Sequence, residues 1–327
     1  MSEHDSIIVT GGSGLLGSSL VHQLVEADRE KVFVMDVNPD PRRLSDIADD
    51  IEYIEGDVAD PAHLRDTIGR IRPRRIFHLA AFLGDWCEDD PLEGTRININ
   101  GVQHLFEAAC EYEVEQVLFS SSLGVFGYDL EEDEVFTDKT LQRPFSYYGV
   151  TKLYAEGAGR WYKRKRGLDY RGIRFPAIVG PGVKAGGIVN YISSMIEFSH
   201  AGKPYTVQVA EDTRVAVVHV EDAGNSLIQL AEAPIENIRM VNYLINGISP
   251  LPTAGEMAEM VRSRIPGARI DFQPREDWTA IIKLSGRPVD DSYARAEWNW
   301  TPKYHSFEKI LDSYLAALES QNQGESR

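Results

Sequence analysis

The stretch Ser6–Gly17, SIIVTGGSGLLG, constrains this chain more than any other. Ile7, Ile8 and Val9 form a β-branched run without charge, which suits a strand buried on both faces of a parallel sheet. Gly11, Gly14 and Gly17 follow, and Leu15, Leu16, Leu20 and Leu24 then recur with helical periodicity. Strand, tight glycine turn and helix together make an anion site. Gly11 permits the sharp turn, Gly14 keeps a Cβ away from a bound pyrophosphate, and Gly17 lets the helix pack on the strand. The unpaired N–H groups at the helix start then face the phosphate oxygens.

The spacing G-x-x-G-x-x-G departs from G-x-G-x-x-G, so a second signal is needed. Lys31–Asp36, KVFVMD, supplies it: a further strand ending in an acid about 20 residues past Gly17, where a carboxylate accepts from ribose hydroxyls. A carboxylate there repels a 2′-phosphate and selects NAD over NADP. Strand and helix patterns then alternate. Ile51–Glu55 is a strand, and Pro61–Ile71 a helix capped by Asp60. Arg74–Ala80 is a strand, followed by a helix from about Asp90 to Tyr112. Gln116–Ser120, Tyr147–Arg166 and Leu168–Arg174 continue as strand, helix and strand. This alternation predicts an α/β fold, a doubly wound parallel sheet of the Rossmann type, with the ligand beyond the carboxyl ends of its strands.

After Pro176 the alternation breaks into a smaller mixed lobe. The expected division is a dinucleotide-binding domain of residues 1–176 with a returning segment at about 223–247, and a substrate lobe of residues 177–222 and 248–327.

The formal charge of −17 over 327 residues argues against nucleic acid or an anionic membrane as a partner, since both need basic patches. The runs Arg72–Arg75 and Lys163–Arg166 read as solvated faces at helix ends. Two cysteines, Cys87 in a loop and Cys110 on an apolar helix face, are too few for a disulfide framework. The start, MSEHD, has no apolar leader, and no apolar run approaches the ~18 residues of a membrane span. A cytoplasmic protein is expected.

Tyr148-Gly-Val-Thr-Lys152 carries the sharpest chemical signal. Residues four apart share a helix face, so phenol and ammonium point the same way. A nearby cation, with an oxidised nicotinamide, is expected to lower the tyrosine pKa and let it exchange a proton while hydride moves. Phe119-Ser120-Ser121-Ser122 ends a strand at the binding edge. Ser122 is the first choice to hydrogen-bond the reacting oxygen, with Ser121 beside it as a second donor. His78 reads as packing at a strand end, not as a metal ligand, and no metal is expected. His219 suits either core or crevice, and Trp298 and Trp300 read as packing within the small lobe.

With these residues in order, the chain resembles the extended short-chain dehydrogenase/reductase family. The matching features are Gly11-x-x-Gly14-x-x-Gly17, Asp36, Asp57-Val58, His78-Leu79-Ala80-Ala81, Asn98, Ser122 and Tyr148-x-x-x-Lys152. The resemblance implies that Asp57 and Val58 flank the adenine. Leu79, Ala80 and Ala81 would line the dinucleotide, with Ser13, Leu15, Asn98, Phe175 and Pro176 among the cofactor contacts. Lys152 would bond the nicotinamide ribose, and subunits would pair as homodimers through the long helices around Leu105 and Tyr148.

Within that family the likeness is greatest to the NAD-dependent L-threonine 3-dehydrogenase branch, through Ser122-Leu-Gly-Val-Phe-Gly127, Glu211-Asp-Thr-Arg214 and Asp290-Asp-Ser-Tyr-Ala-Arg295. Sugar-nucleotide epimerases typically carry an asparagine at the position of Ala177. Two stretches depart from the threonine enzymes. Leu83-Gly84-Asp85-Trp86 replaces a Leu-Ser-Ala pattern, and Gly186-Gly187-Ile188-Val189-Asn190-Tyr191 lacks two expected hydroxyls. Gly84, Asp85, Trp86 and Gly187 are therefore candidate substrate contacts, together with Ser121, Ser122 and Tyr148. A threonine-like hydroxy acid, a sugar acid or a small polyol all fit as the small-molecule substrate. The rival enzyme class is a sugar-nucleotide epimerase or dehydratase. A non-catalytic dinucleotide sensor would be expected to have lost the Ser/Tyr/Lys set, which is intact.

Overall fold

Apolar strands that can be covered on both faces set the architecture. The computed structural model describes residues 6–38, 41–131, 134–183 and 188–324. In its first half Ser6–Thr10 is β1, Leu15–Ala27 α1, Lys31–Asp36 β2, Ile51–Glu55 β3, Pro61–Ile71 α2 and Arg75–His78 β4. Gly84–Asp89 (α3) and Pro91–Gly94 (α4) come next. A π turn over Thr95–Gly101 runs into Val102–Glu111 (α5). Gln116–Ser122 is β5, Tyr147–Arg166 α6 and Asp169–Phe175 β6.

All five residues of β1 are buried, and β1 lies between β4 and β2. The full sheet has seven strands, six of them β6, β5, β4, β1, β2 and β3 in spatial order, and every pairing within it is parallel. Asp60 caps α2, its carboxylate accepting from the N–H groups of Ala62 and His63, as Asp60-Pro61 leads one to expect.

Past Pro176 the chain forms Ala177–Val179 (β7), Tyr191–His200 (α7), Tyr205–Val207 (β8), Val217–His219 (β9), Val220–Glu232 (α8) and Asn242–Leu244 (β10). β10 returns to pair with β6 as the seventh strand. β7 pairs with β9 in a separate small sheet. Ala254–Arg264 (α9) opens with a capping box built by Thr253 and Glu256. Ile270–Phe272 (β11) pairs with β8. The remaining helices are Glu276–Ser285 (α10), Ser292–Trp298 (α11) and Phe307–Gly324 (α12).

The structure corrects four local readings. The segment expected to run as one helix from Asp90 is α4, a π turn and α5. Cys87, expected in a loop, lies within the helix Gly84–Asp89. This α3 has six residues, no side-chain cap and a first residue at φ +24°, so the sequence carries no start signal for it. Arg75 is not a solvated charge: it is 8% exposed at the start of β4, with Glu30 at 3.8 Å. Trp298 and Trp300 do pack, but in one cluster with Ile7, Val9 and Val34 of the large sheet, with Tyr243 of β10 edge-on to Trp298. His219 resolves as a buried cap, its Nδ1 accepting from the N–H of Glu221 at the start of α8. Among the described residues no helix is long and apolar enough to cross a membrane. No group of three potential ligands there could hold a metal ion.

Candidate active site

The glycine loop, the ends of β2, β3, β4 and β5 and the start of α6 meet at the carboxyl edge of the sheet, the edge where open α/β sheets bind their ligands. Gly11 has φ +71°, and a Cβ on it would meet the Ala80 N atom at 2.7 Å, so the loop closes directly on the Leu79–Ala81 stretch. The carbonyl of Gly14 accepts from Ser18, and Leu15 opens α1 with Gly17 in its first turn. Asp36 reaches back into the loop: Oδ2 accepts from the N–H of Ser13 at 3.1 Å and Oδ1 from that of Asn38 at 3.2 Å.

The Ser13 hydroxyl is buried without a partner beside this loop. An orphaned donor next to free helix N–H groups, facing a carboxylate with lone pairs to spare, fits a diphosphate joined to an unphosphorylated ribose. The residues present thus suit NAD.

Leu79 and Ala80 are fixed by Thr10, whose carbonyl accepts from Leu79 N and whose hydroxyl accepts from Ala80 N at 3.4 Å. The same hydroxyl lies 2.7 Å from His78 Nδ1. Burial drives the His78 pKa down to about 3, so the ring is a neutral packing element.

Asn98, expected among the cofactor contacts, is spent on the protein. Its amide donates to Phe82 O at 2.8 Å and Thr151 Oγ1 at 3.1 Å, while its Oδ1 accepts from Phe82 N. It ties the end of the Leu79–Ala81 stretch to α6.

The start of α6 is anchored by Ser146, which accepts from Gly149 N, and by Glu88 of α3, which accepts from Tyr147 N. Tyr148, half-buried, and Lys152, buried, then share one face of the helix, with Lys152 Nζ 5.5 Å from the Tyr148 ring centroid. That ammonium donates to Ser120 O at 2.7 Å and lies over the Phe119 ring. Burial lowers its pKa to about 8. Burial raises that of Tyr148 and the Cys87 thiol adds to the rise, while a hydrogen bond with Ser122 opposes it. The expected lowering depends on an oxidised nicotinamide as well as on Lys152; in the chain by itself desolvation of the phenolate outweighs the single hydrogen bond.

Ser122 sits where expected, paired across the sheet with Phe175, which Pro176 follows. Ser121 does not. The pleat turns it to the other face, where its hydroxyl donates to Glu156 at 2.7 Å and is 2% exposed. Trp86, half exposed, stands beside Phe82 with ring centroids 5.9 Å apart. Gly84 and Asp85 lie on the same short helix. Gly187 lies outside the described residues. Asp57 and Val58 follow β3 at the cofactor edge, with Asp57 bound by Arg96.

Thr151, Glu156 and Arg96 were not marked by the sequence, whereas Cys87 was, as a loop thiol with nothing to activate it. Of the three, only Glu156 carried a signal, as the next step of the Tyr148, Lys152 spacing. Cys87 is buried, donates to Phe82 O at 3.1 Å and has its pKa raised to about 11 by burial, which makes it an unreactive thiol.

A model of the NAD dependent epimerase/dehydratase family matches residues 7–243. The mitochondrial L-threonine 3-dehydrogenase of Bos taurus is 26% identical over 301 residues, covering 91% of this chain and 79% of its own. An uncharacterized epimerase/dehydratase of Staphylococcus saprophyticus is 29% identical over 325 residues, covering 98% of each chain. Among solved structures, a GalE-like L-threonine dehydrogenase from Cupriavidus necator in its holo form superposes with a TM-score of 0.87 at 28% identity. It covers 96% of this chain and 99% of that one. A UDP-glucose 4-epimerase from Thermus thermophilus in complex with NAD gives 0.83 at 23% identity over 95% of this chain and 99% of its own, a likeness of fold alone.

Proposed function

The chain belongs to the NAD-dependent epimerase/dehydratase family, and from that premise we propose that it is a dehydrogenase oxidising a secondary hydroxyl on a small polar substrate. It is an NAD-dependent oxidoreductase. The observation that carries the finer reading is the cluster of half-buried Tyr148 and Ser122 with buried Lys152, at the sheet edge that also carries the Gly11 loop. The L-threonine 3-dehydrogenase relatives, at 26% and 28% identity, support a threonine-like hydroxy acid, with sugar acids and polyols in the same class.

NAD, when bound, supplies the hydride acceptor and, in its oxidised form, a positive charge that favours the phenolate. Tyr148 Oη takes the hydroxyl proton as the carbonyl forms. The Ser122 hydroxyl bonds the same oxygen and steadies its changing charge. Lys152 holds a cation behind the phenol, and Asp36 and Ser13 hold the ribose and diphosphate end, flanked by Leu15, Leu79, Ala80, Ala81, Phe175 and Pro176. Trp86 walls the substrate side, with Gly84, Asp85 and Gly187 as further contacts. Asn98 braces this frame.

On this reading residues 1–176 with 223–247 serve the cofactor, and residues 177–222 with 248–327 close the substrate side. A cytoplasmic location belongs to the same reading. Two copies pair through α5 and α6, where Val150, Tyr154 and Trp161 stand exposed around a cleft of about 660 Å³. The mass in solution, twice the 36.7 kDa of one chain, is the check.

Tyr148→Phe tests the proton role. It should still quench or enhance NADH fluorescence on binding, yet turn over at about a thousandth of the parent rate or less. Turnover near the parent rate would remove Tyr148 from the mechanism.

A further inference from the structure

We infer that Arg96 is a positioning residue for adenine recognition, holding the Asp57 carboxylate in the orientation that selects an amino-purine over an oxo-purine. The inference rests on the reading of Asp57 as the carboxylate that faces the adenine.

Arg96 lies in the π turn between α4 and α5. Its Nη1 donates to Asp57 Oδ2 at 2.6 Å, while Nε and Nη2 clasp both oxygens of Glu93 at 2.8 and 2.7 Å. Glu93 is itself fixed, its N–H donating to the Asp90 carboxylate at 3.0 Å. The other Asp57 oxygen accepts from Ala59 N at 2.8 Å. Each oxygen of Asp57 is therefore held by one donor and keeps one lone-pair direction for another. A carboxylate so fixed accepts from an exocyclic amine and repels an exocyclic carbonyl at the same place.

The turn grips the neighbouring residue as well. A Cβ on Gly101 would meet Val58 Cγ2 at 3.1 Å and the Val58 carbonyl at 3.3 Å, so the helix seats directly on Val58. Asn98, between them, anchors the turn to Phe82 and to Thr151 of α6. One seven-residue turn thus registers Asp57 and Val58 against the helix bearing Tyr148 and Lys152. A wide π turn presents its side chains on a different spacing from an α-helix, and such turns concentrate at functional sites. An exposed ion pair alone adds little to stability. Arg96 and Asp57 keep 43% and 31% of their side-chain surface exposed, so the consequence of this pair lies in orientation.

The test compares binding of NAD with that of nicotinamide hypoxanthine dinucleotide, which differs by an oxygen in place of the adenine amine. Calorimetry on the full chain measures both dissociation constants for the parent, Arg96→Met, Arg96→Lys and Glu93→Gln. The parent should prefer NAD by about tenfold or more, the value of one hydrogen bond to a charged group. Arg96→Met should bring the preference to about twofold or less, with Glu93→Gln and Arg96→Lys between. A parent-like preference in Arg96→Met, with its thermal transition intact, overturns the role of Arg96. Should the parent itself show no preference, the assignment of Asp57 to the adenine fails first and the inference fails with it.

Discussion

Ser121 and Ser122 are adjacent and chemically identical, yet the pleat gives them different work. Ser122 turns toward Tyr148, whereas Ser121 donates to the buried Glu156 on the opposite face. Ser122→Ala should therefore lower turnover by about a hundredfold with little change in stability. Ser121→Ala should leave turnover near the parent value while costing about 1–3 kcal/mol, since Glu156 loses a buried donor. Steady-state rates and urea midpoints for the pair separate the two roles, and equal kinetic losses would contradict the assignment. The sequence put Ser122 first among three serines at a strand end, but kept Ser121 beside it as a second donor, which the pleat rules out. That choice depends on where the strand ends, and β5 continues through Ser122. The placement of Asp36 at the end of β2 and of Tyr148 and Lys152 on one helix was legible because each depends on local spacing along the chain.

The position of α6 against the sheet is set by a buried ion pair. Arg174 of β6 donates to both oxygens of Glu156 at 2.8 and 2.6 Å, and both residues are essentially inaccessible. Glu156 lies one helical step beyond Lys152, so the pair registers the Tyr148 and Lys152 face of the helix against β5 and β6. Arg174→Met should cost about 3–5 kcal/mol by leaving a buried carboxylate unpaired. Denaturant unfolding measures this, and a loss of less than about 1 kcal/mol would show that Glu156 finds another partner or a proton. Most elements could be read from the chain: α6 runs over the expected residues, Tyr147–Arg166. What could not be read is long-range. Nothing near Glu156 names Arg174, and nothing near Arg96 names Asp57. The short α3 and the π turn are set by tertiary packing, which overrides weak local propensity.

Across the whole molecule, buried groups with displaced pKa values set the response to acid. His78 and His219 are held near 3 and 4 by burial, against an ordinary value of 6.5. Between about 4 and 6.5 the unfolded chain binds protons at these rings that the folded chain refuses. Their contribution to stability therefore rises with pH across that window and is lost on acidification. Asp138 opposes them, because burial raises its pKa to about 7 from an ordinary 3.8 and the folded chain keeps that proton longer. Burial raises the Asp222 carboxyl as well, in the same sense as Asp138, so the two carboxyls offset part of what the rings lose on acidification, about 1.4 kcal/mol per pH unit for each proton. His78→Phe should flatten this slope by one proton in urea titrations between pH 4 and 6.5. An unchanged slope would mean that His78 does not titrate on unfolding.

Net oxidation of a small hydroxyl compound must leave NADH behind, and its accumulation separates a dehydrogenase from an epimerase. The purified protein with NAD would be followed at the NADH absorbance across L-threonine, other β-hydroxy acids, sugar acids, polyols and UDP-sugars. NADH should rise in proportion to one small hydroxy compound, with little signal when NADP replaces NAD. A UDP-sugar converted to its epimer with no NADH accumulating would contradict it, and would make the Tyr148 cluster the centre of an epimerase.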